Sequence, residues 1–213
     1  MKVVIVDYNI GNVQSIYNAL SQFQGVDVLL TDDQNAILSA DGLILPGVGA
    51  FQKAMDELNA RNLPNILKNY VLQGKPFLGI CLGMQLLFES SEEFGHAKGL
   101  GFIKGSVEPF PKDFDGKLPH IGWSPVLKQD LSSENALFKD VPYTSEFYFL
   151  HSYICKPECQ DIVSTTAQYS TTNFCSSIQK DNIFACQFHP EKSAIDGLKI
   201  LHNFIKTVLL CKG

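Results

Sequence analysis

Arginine is almost absent from this chain. Arg61 is the only one among 213 residues, and lysine and arginine together number 17 against 22 aspartates and glutamates. The formal net charge is therefore -5 at neutral pH. Proteins that bind nucleic acids contact phosphates and base edges through clustered lysines and arginines. We therefore predict no nucleic-acid partner.

Long apolar runs are also lacking. The opening apolar run, residues 3–6, stops at Asp7 and is too short for the core of a signal peptide. No segment approaches the roughly 20 apolar residues of a membrane-spanning helix. We expect no signal peptide, no membrane partner and a cytoplasmic location.

None of the six cysteines forms a C-x-x-C pair, the usual spacing of zinc ligands and redox motifs. Without an export signal we expect reduced thiols. Cys155 and Cys159 lie close in sequence, but no matching histidine or cysteine pair accompanies them. The chain also has no glycine loop typical of nucleotide binding, so we predict no metal and no cofactor.

The first half of the sequence alternates short apolar runs with amphipathic segments. The runs are typical of strands that are buried on both faces, and the segments between them of helices. Alternating strands and helices predict an open, mostly parallel sheet with flanking helices. The predicted strands are residues 3–6, 26–30, 41–45 and 76–80, and the predicted helices include residues 51–58, 64–72 and 82–88.

The second half has shorter aromatic and apolar runs separated by glycine, proline, aspartate and serine. Such runs indicate added strands, several of them antiparallel, and a last amphipathic helix carries an apolar stripe from Leu198 to Leu209. No linker or internal repeat separates the halves, so we predict one domain over residues 1–213. The predicted strands are residues 102–109, 120–127, 147–154, 164–169 and 184–188.

Gly79-Ile80-Cys81-Leu82-Gly83 lies between a predicted buried strand and a predicted helix. A G-x-C-x-G segment there is typical of a nucleophile elbow, in which small flanking residues allow a sharp turn around the central residue. The positive end of a helix dipole favours the thiolate form of such a cysteine. The alternative is a buried cysteine in an ordinary turn.

A second segment, Phe188-His189-Pro190-Glu191-Lys192-Ser193, follows the last predicted strand. Histidine is the usual general base near neutral pH, and a carboxylate two residues away can hold its ring in one tautomer. A lone His-x-Glu is more often a surface pair. Its combination with the elbow in one α/β chain favours a cysteine nucleophile, Cys81, with His189 and Glu191.

With these residues the sequence resembles the class I glutamine amidotransferases, which have a Cys-His-Glu triad on a flavodoxin-like core. Within that class it is similar to the glutaminase subunits of imidazole glycerol phosphate synthases. The resemblance implies hydrolysis of the glutamine side-chain amide through a thioester on Cys81. Four further segments carry it: residues 7–12, 46–51, 120–123 and 148–153.

The resemblance also implies roles around the nucleophile. The oxyanion would be bound by the backbone of Leu82 and of the loop 46–49, including Val48 and Gly49. The substrate L-glutamine would be bound by Gln85, His151, Ser152 and Tyr153. Without the resemblance, we would interpret Gln85 as a helix-surface amide and the aromatic run near Tyr148 as core packing.

Free ammonia is mostly protonated in neutral water. A glutaminase that supplies a synthesis therefore needs a partner that receives the ammonia without its release into water. The resemblance implies a separate (β/α)8-barrel cyclase subunit. The residues expected to contact it are Ile10, Asn12, Trp123, Tyr148 and Lys192. Aromatic residues are good interface anchors, although they are equally common in cores.

The sequence departs from the family's usual pattern at two places near this expected interface. Ser124-Pro125 follows Trp123 where asparagine is frequent, and Ala194 stands where other residues are usual. Two alternatives therefore stay open: a related glutaminase that serves another synthase, such as one for sugar amination, and a free-standing cysteine hydrolase on the same fold. A binding module that has kept an inactive triad is disfavoured, because all three triad residues are present.

Overall fold

The computed structural model describes residues 1–128, 135–142 and 144–211, so the predicted domain over residues 1–213 includes three segments outside the described residues. Strands of the first half are β1 (Lys2–Val6), β2 (Asp27–Thr31), β3 (Gly42–Leu45) and β4 (Phe77–Ile80). Its helices are α1 (Val13–Leu20), α2 (Gln34–Ser39), α3 (Phe51–Ala60) and α4 (Leu63–Leu72). The strands pair in parallel in the order β2-β1-β3-β4, as predicted.

The second half adds one short helix, a set of mainly antiparallel strands, and a long last helix. They are α5 (Leu82–Gln85), β5 (Phe88–Ser91), β6 (Ala97–Lys98), β7 (Ile103–Pro109), β8 (His120–Lys128), β9 (Glu146–His151), β10 (Tyr153–Pro157), β11 (Val163–Tyr169), β12 (Thr172–Lys180), β13 (Ile183–Cys186) and α6 (Ala194–Leu210). From β4 the sheet continues through β13, β12, β10, β7, β5 and β6, while β11 connects β12 to β8, and β8 pairs with β9. This confirms the predicted α/β class with added antiparallel strands.

Helices cover the parallel strands on both faces, because those strands are apolar on both sides. Val3–Val6 is fully buried, with alternate residues belonging to two separate core clusters. One cluster contains Leu58 of α3 and Leu67 of α4, and the other contains Val208 of α6. Among the described residues, no helix is long and apolar enough to cross a membrane.

Two predicted elements differ from the structure, and some observed elements were not predicted. The helix predicted over residues 82–88 ends at Gln85, and β5 begins at Phe88. This run is buried throughout, so its apolar pattern does not distinguish a helix from a strand. The strand predicted over residues 147–154 is divided at Ser152 into β9 and β10. Neither α2 nor β12 was predicted, because both are rich in polar residues.

The pairing of β4 with β13 positions the candidate site. These strands are far apart in sequence but lie side by side in parallel, with Ile80 opposite Cys186. The residues that follow both strands therefore emerge at one edge of the sheet. Open α/β folds bind ligands at this edge.

Candidate active site

Cys81 occupies a strained turn between β4 and α5. Its backbone has φ 55° and ψ -113°, a conformation that L-residues rarely adopt. The Cys81 amide donates a hydrogen bond of 2.8 Å to the carbonyl of Cys186 in β13. The structure thus gives the predicted sharp turn, with the thiol at the carboxyl edge of the sheet.

The two glycines that flank Cys81 have no room for a side chain. A Cβ on Gly79 would lie 2.9 Å from the carbonyl oxygen of Gly83, and a Cβ on Gly83 would lie 1.9 Å from the carbonyl oxygen of Leu45. Both neighbours are backbone atoms, which cannot rotate away. The predicted steric role of these glycines is therefore visible in the structure.

We expect Gly83→Ala to destabilise the fold by about 3 kcal/mol or more, since the β3 backbone must shift to accommodate the methyl group. Urea unfolding followed by circular dichroism measures this loss. Gly74→Ala is the control, because a Cβ there has no atom within 4 Å. Equal stabilities of the two variants would contradict the close contact.

His189 and Glu191 form a buried pair beside this turn. Nδ1 of His189 lies 2.8 Å from Oε1 of Glu191, and the two side chains are 2% and 1% exposed. A carboxylate accepts hydrogen bonds, so Nδ1 carries a proton. The other ring nitrogen, Nε2, is buried beside Cys81 and has no well-aligned hydrogen-bond partner among the described residues.

The charges around His189 favour its protonated form. Burial alone would disfavour the imidazolium, but Cys81 and then Glu191 outweigh burial and raise the pKa of His189 to about 10. The ring therefore keeps its proton through neutral pH and loses it only as the pH rises through that value. The site therefore holds a protonated His189 beside Cys81.

The His189 backbone is tied to β9 in two ways. Its amide donates to the Tyr148 carbonyl at 2.9 Å, and its carbonyl accepts from the Ser193 hydroxyl at 2.6 Å. That hydroxyl also accepts from the Tyr148 amide at 2.9 Å. The Ser193 hydroxyl thus joins β9 to the turn that carries His189.

A small cavity opens over the Cys81 thiol. Its volume is about 240 Å³, below the range of pockets for drug-sized ligands. The structure brings together in its lining Cys81 and every predicted oxyanion and substrate residue: Val48, Gly49, Leu82, Gln85, His151, Ser152 and Tyr153. Glu93, Pro119 and Leu150 also line it and were not predicted. Among the described residues, no three histidine, cysteine or acidic side chains are grouped as metal ligands.

The Gln85 amide is held in one orientation. Its Nε2 donates to the Tyr153 carbonyl at 3.3 Å and to Oε1 of Gln187 at 3.0 Å. Both of its hydrogens are therefore used, and Gln85 offers the cavity an acceptor oxygen. The Glu93 carboxylate accepts the Phe51 amide at 2.6 Å and supplies negative charge to the same cavity. Together they suit a ligand with an ammonium group.

Tyr8 holds one end of the loop 46–49. The Tyr8 hydroxyl donates to the Pro46 carbonyl at 2.6 Å. Burial, and then the nearby Cys81, raise the pKa of Tyr8, so it remains a donor. A Cβ on Gly47 would lie 2.8 Å from this hydroxyl, whereas Gly49 has φ +95° and open space around it. The loop is fixed at Pro46 and less constrained at Gly49.

A chain of hydrogen bonds runs from Ser124 to the bend at Ser152. Burial is the main cause that lowers the pKa of His120 to about 4 and of His151 to about 3, so both rings are neutral. Nδ1 of His151 donates to the Tyr153 carbonyl at 2.9 Å, and Nε2 of His151 accepts from Nδ1 of His120 at 3.1 Å. The Ser124 hydroxyl donates to Nε2 of His120 at 3.0 Å. Ser124, where the sequence departs from the family's usual pattern, thus begins a hydrogen-bond chain that holds the strand predicted to bind the substrate.

Three of the five predicted partner residues lie together. Trp123 and Tyr148 are opposite each other in β8 and β9 with ring centroids 6.2 Å apart, and Nζ of Lys192 lies 5.7 Å from the centroid of the Tyr148 ring. Trp123 is 49% exposed. Ile10 and Asn12 lie in the loop after β1, where the intervening Gly11 approaches Pro46.

Comparison with known proteins decides the family. Residues 4–208 match the model of the class-I glutamine amidotransferases. The chain belongs to this family. The resemblance found in the sequence is therefore confirmed, and the chain is an enzyme, a glutamine amidotransferase.

Two subunits of imidazole glycerol phosphate synthases are similar over nearly the full chain. The imidazole glycerol phosphate synthase subunit HisH of Syntrophotalea carbinolica is 44% identical over 207 residues, which cover 95% of this chain and 98% of that protein. The subunit of the same name in Chlorobium chlorochromatii is 45% identical over 202 residues, with coverages of 95% and 98%. The structure of PurLQS from Thermotoga maritima aligns with a TM-score of 0.73, covering 96% of this chain and 97% of that one, and at 17% identity it shows the shared fold alone.

The candidate site also contains residues that the sequence did not predict. Glu93 follows another glutamate in a polar segment and is easily interpreted as a surface residue. Gln187 lies in an apolar run that is typical of a core strand. For Gln187, a signal was available: it precedes His189 by two residues, and alternate residues of an extended chain point to the same side.

Proposed function

We propose that the chain is the glutaminase subunit of an imidazole glycerol phosphate synthase. It hydrolyses L-glutamine to glutamate and ammonia and passes the ammonia to a separate (β/α)8-barrel cyclase subunit for histidine biosynthesis. The observation that carries the proposal is Cys81 in its strained turn beside the buried His189-Glu191 pair. The similarity to the HisH subunits supports the choice of synthase.

Hydrolysis proceeds through a thioester. The Cys81 thiolate attacks the side-chain carbonyl carbon of glutamine and forms a tetrahedral intermediate. As the C–N bond breaks, the imidazolium of His189 gives its proton to the departing nitrogen, and ammonia leaves. His189 then takes a proton from water, which attacks the thioester and releases glutamate and the Cys81 thiolate, so that the thiolate and the imidazolium are both restored. Glu191 holds the ring in the tautomer that both steps need.

Backbone amides stabilise the oxyanion of the tetrahedral intermediate. Leu82 is the first residue of α5, so its N–H has no acceptor within the helix. The second donor comes from the loop at Val48 and Gly49, which faces the same cavity. The less constrained backbone at Gly49 allows its peptide to reorient when a partner binds.

The substrate's α-amino and α-carboxylate groups lie at the other end of the cavity. The Gln85 oxygen and the Glu93 carboxylate bind the ammonium, and backbone groups of His151, Ser152 and Tyr153 hold the remaining polar atoms. The hydrogen-bond chain through His120 keeps this strand in place. Glutamine therefore lies with its side-chain amide towards Cys81.

The ammonia-receiving partner contacts the surface around Trp123 and Tyr148. Exposed apolar side chains continue this surface, since Ile121 is 57% and Ile195 71% exposed, and Trp123 and Ile195 line one groove. Apolar and aromatic residues of this kind anchor protein interfaces. Lys192 adds a cation beside the Tyr148 ring.

The decisive experiment is ammonia release from glutamine by the purified chain, alone and with an imidazole glycerol phosphate cyclase barrel and its ribulosyl ligand. We expect low activity alone and a large increase with both additions. Full activity alone would indicate a free-standing hydrolase. If another synthase raises the activity and the cyclase barrel does not, the chain is a related glutaminase that serves that other synthase.

We expect Gly49→Ala to lower partner-stimulated glutaminase activity by about tenfold or more, because one oxyanion donor is worth at least that much when it is displaced. A Cβ at Gly49 meets no atom within 4 Å, so only the backbone conformation at φ +95° is penalised. Steady-state kinetics of the complex measure the effect.

Gly74→Ala is the matched control for this variant. Gly74 has φ +73° and similarly open surroundings, but it lies after α4, away from the cavity. Both variants should lose similar stability, while only Gly49→Ala loses activity. Equal activities of the two variants would show that Gly49 is not part of the oxyanion site.

A further inference from the structure

Gln187 is a completely buried amide between β13 and His189. Its backbone amide donates to the Ser176 carbonyl at 2.9 Å, which fixes the chain at this point. Its side-chain Nε2 lies 3.7 Å from Sγ of Cys81 as a hydrogen-bond donor, and its Oε1 accepts from Nε2 of Gln85. One side chain therefore contacts both the nucleophile and a residue proposed to bind the substrate.

The orientation of this amide follows from its neighbours. The Tyr153 carbonyl can only accept, so the Gln85 atom beside it is the nitrogen. That nitrogen also donates to Gln187, which makes the Gln187 atom facing it the oxygen. The Gln187 nitrogen then faces Cys81. The Cys155 thiol donates to the same oxygen at 3.9 Å, and it stays protonated because burial raises the pKa of Cys155.

We propose that Gln187 is a positioning residue that joins the Cys81 thiol to the Gln85 amide. It thereby fixes the position of the nucleophile relative to the substrate site. Its N–H group stabilises the thiolate and directs Sγ into the cavity. Its oxygen keeps the Gln85 nitrogen turned away from the ligand, which leaves the Gln85 oxygen for the substrate ammonium. This inference rests on the proposed glutaminase function.

Two variants separate these two roles. Gln187→Met keeps the volume but removes both the donor and the acceptor. Gln187→Glu keeps an oxygen for Gln85 but brings a like charge to the thiolate. Cys155→Ala is the control, since it removes a neighbour of Gln187 and leaves its contacts with Cys81 and Gln85 in place.

The first readout is the rate of Cys81 alkylation by iodoacetamide as a function of pH, followed by mass spectrometry of the peptide that contains Cys81. A hydrogen bond to a charged group supports an effect of about tenfold or more. We expect Gln187→Met to slow alkylation at neutral pH by that factor and to move the profile to higher pH. Gln187→Glu should do the same, whereas Cys155→Ala should match the wild type.

The second readout is the steady-state kinetics of glutamine hydrolysis by the complex. For Gln187→Met we expect a lower kcat and a higher KM, and for Gln187→Glu a lower kcat with KM close to that of the wild type. A Gln187→Met protein with an unchanged alkylation profile and an unchanged KM would overturn the proposal, whatever its kcat. A wild-type complex without glutaminase activity would instead overturn the proposed function, and the alkylation profiles would still test the contact between Gln187 and Cys81.

Discussion

Replacing Cys81 with alanine is expected to abolish glutamine hydrolysis while leaving the fold intact. The thiol is the proposed nucleophile, and loss of a triad nucleophile typically costs about a millionfold in kcat. Stability should change little, because alanine keeps the Cβ and so adopts φ 55° with the same strain. Ammonia release and urea unfolding measure the two effects.

Cys159→Ala is the matched control, since Cys159 is an exposed free thiol. That variant should keep full activity, which would show that loss of a thiol as such has no effect. Turnover by Cys81→Ala at the wild-type rate would remove Cys81 from the mechanism. Loss of cooperative unfolding in that variant would show that the thiol is structural.

Replacing Glu191 with glutamine is expected to reduce kcat/KM by roughly ten-thousandfold. A neutral amide can donate as well as accept, so the His189 ring is no longer held in one tautomer, and comparable changes in other triads have effects of this size. The charge that helps to raise the pKa of His189 to about 10 is also lost. His189 should then lose its proton at a lower pH, and the alkaline limb of the pH-rate profile should move down.

Glu191→Asp separates charge from position. It keeps the carboxylate but shortens the side chain, so the 2.8 Å contact with Nδ1 is lost or lengthened. We expect reduced activity with an alkaline limb that stays closer to that of the wild type. An alkaline limb that is unchanged in Glu191→Gln would contradict the role of this carboxylate in the charge of His189.

Much of the candidate site was predictable because its signals are local. Gly79 and Gly83 mark the turn at Cys81, and the spacing of His189 and Glu191 marks the second segment. The strand pattern then predicts a parallel sheet, whose carboxyl edge collects the residues that follow each strand. The structure adds which strands are neighbours, and the pairing of β4 with β13 brings the two segments together.

Other parts depend on contacts that no local pattern contains. The helix after Cys81 ends at Gln85, and the carbonyls of Leu86 and Leu87 accept hydrogen bonds from the distant amides of Leu100 and Phe102. Gln187 belongs to the site because it contacts residues on three other elements. Glu93 belongs to it because its side chain lines the cavity. The role of Ser124 as a hydrogen-bond donor depends on His120 and His151 lying opposite each other in the core, which follows from the β8-β9 pairing.

The position of β13 also bears on how the enzyme is made. β13 comes after every other described strand in the chain, yet it lies between β4 and β12 in the middle of the sheet. A ribosome therefore produces Cys81 long before the strand that brings His189 beside it. Until β13 joins the sheet, the thiol is present without the His189-Glu191 pair beside it.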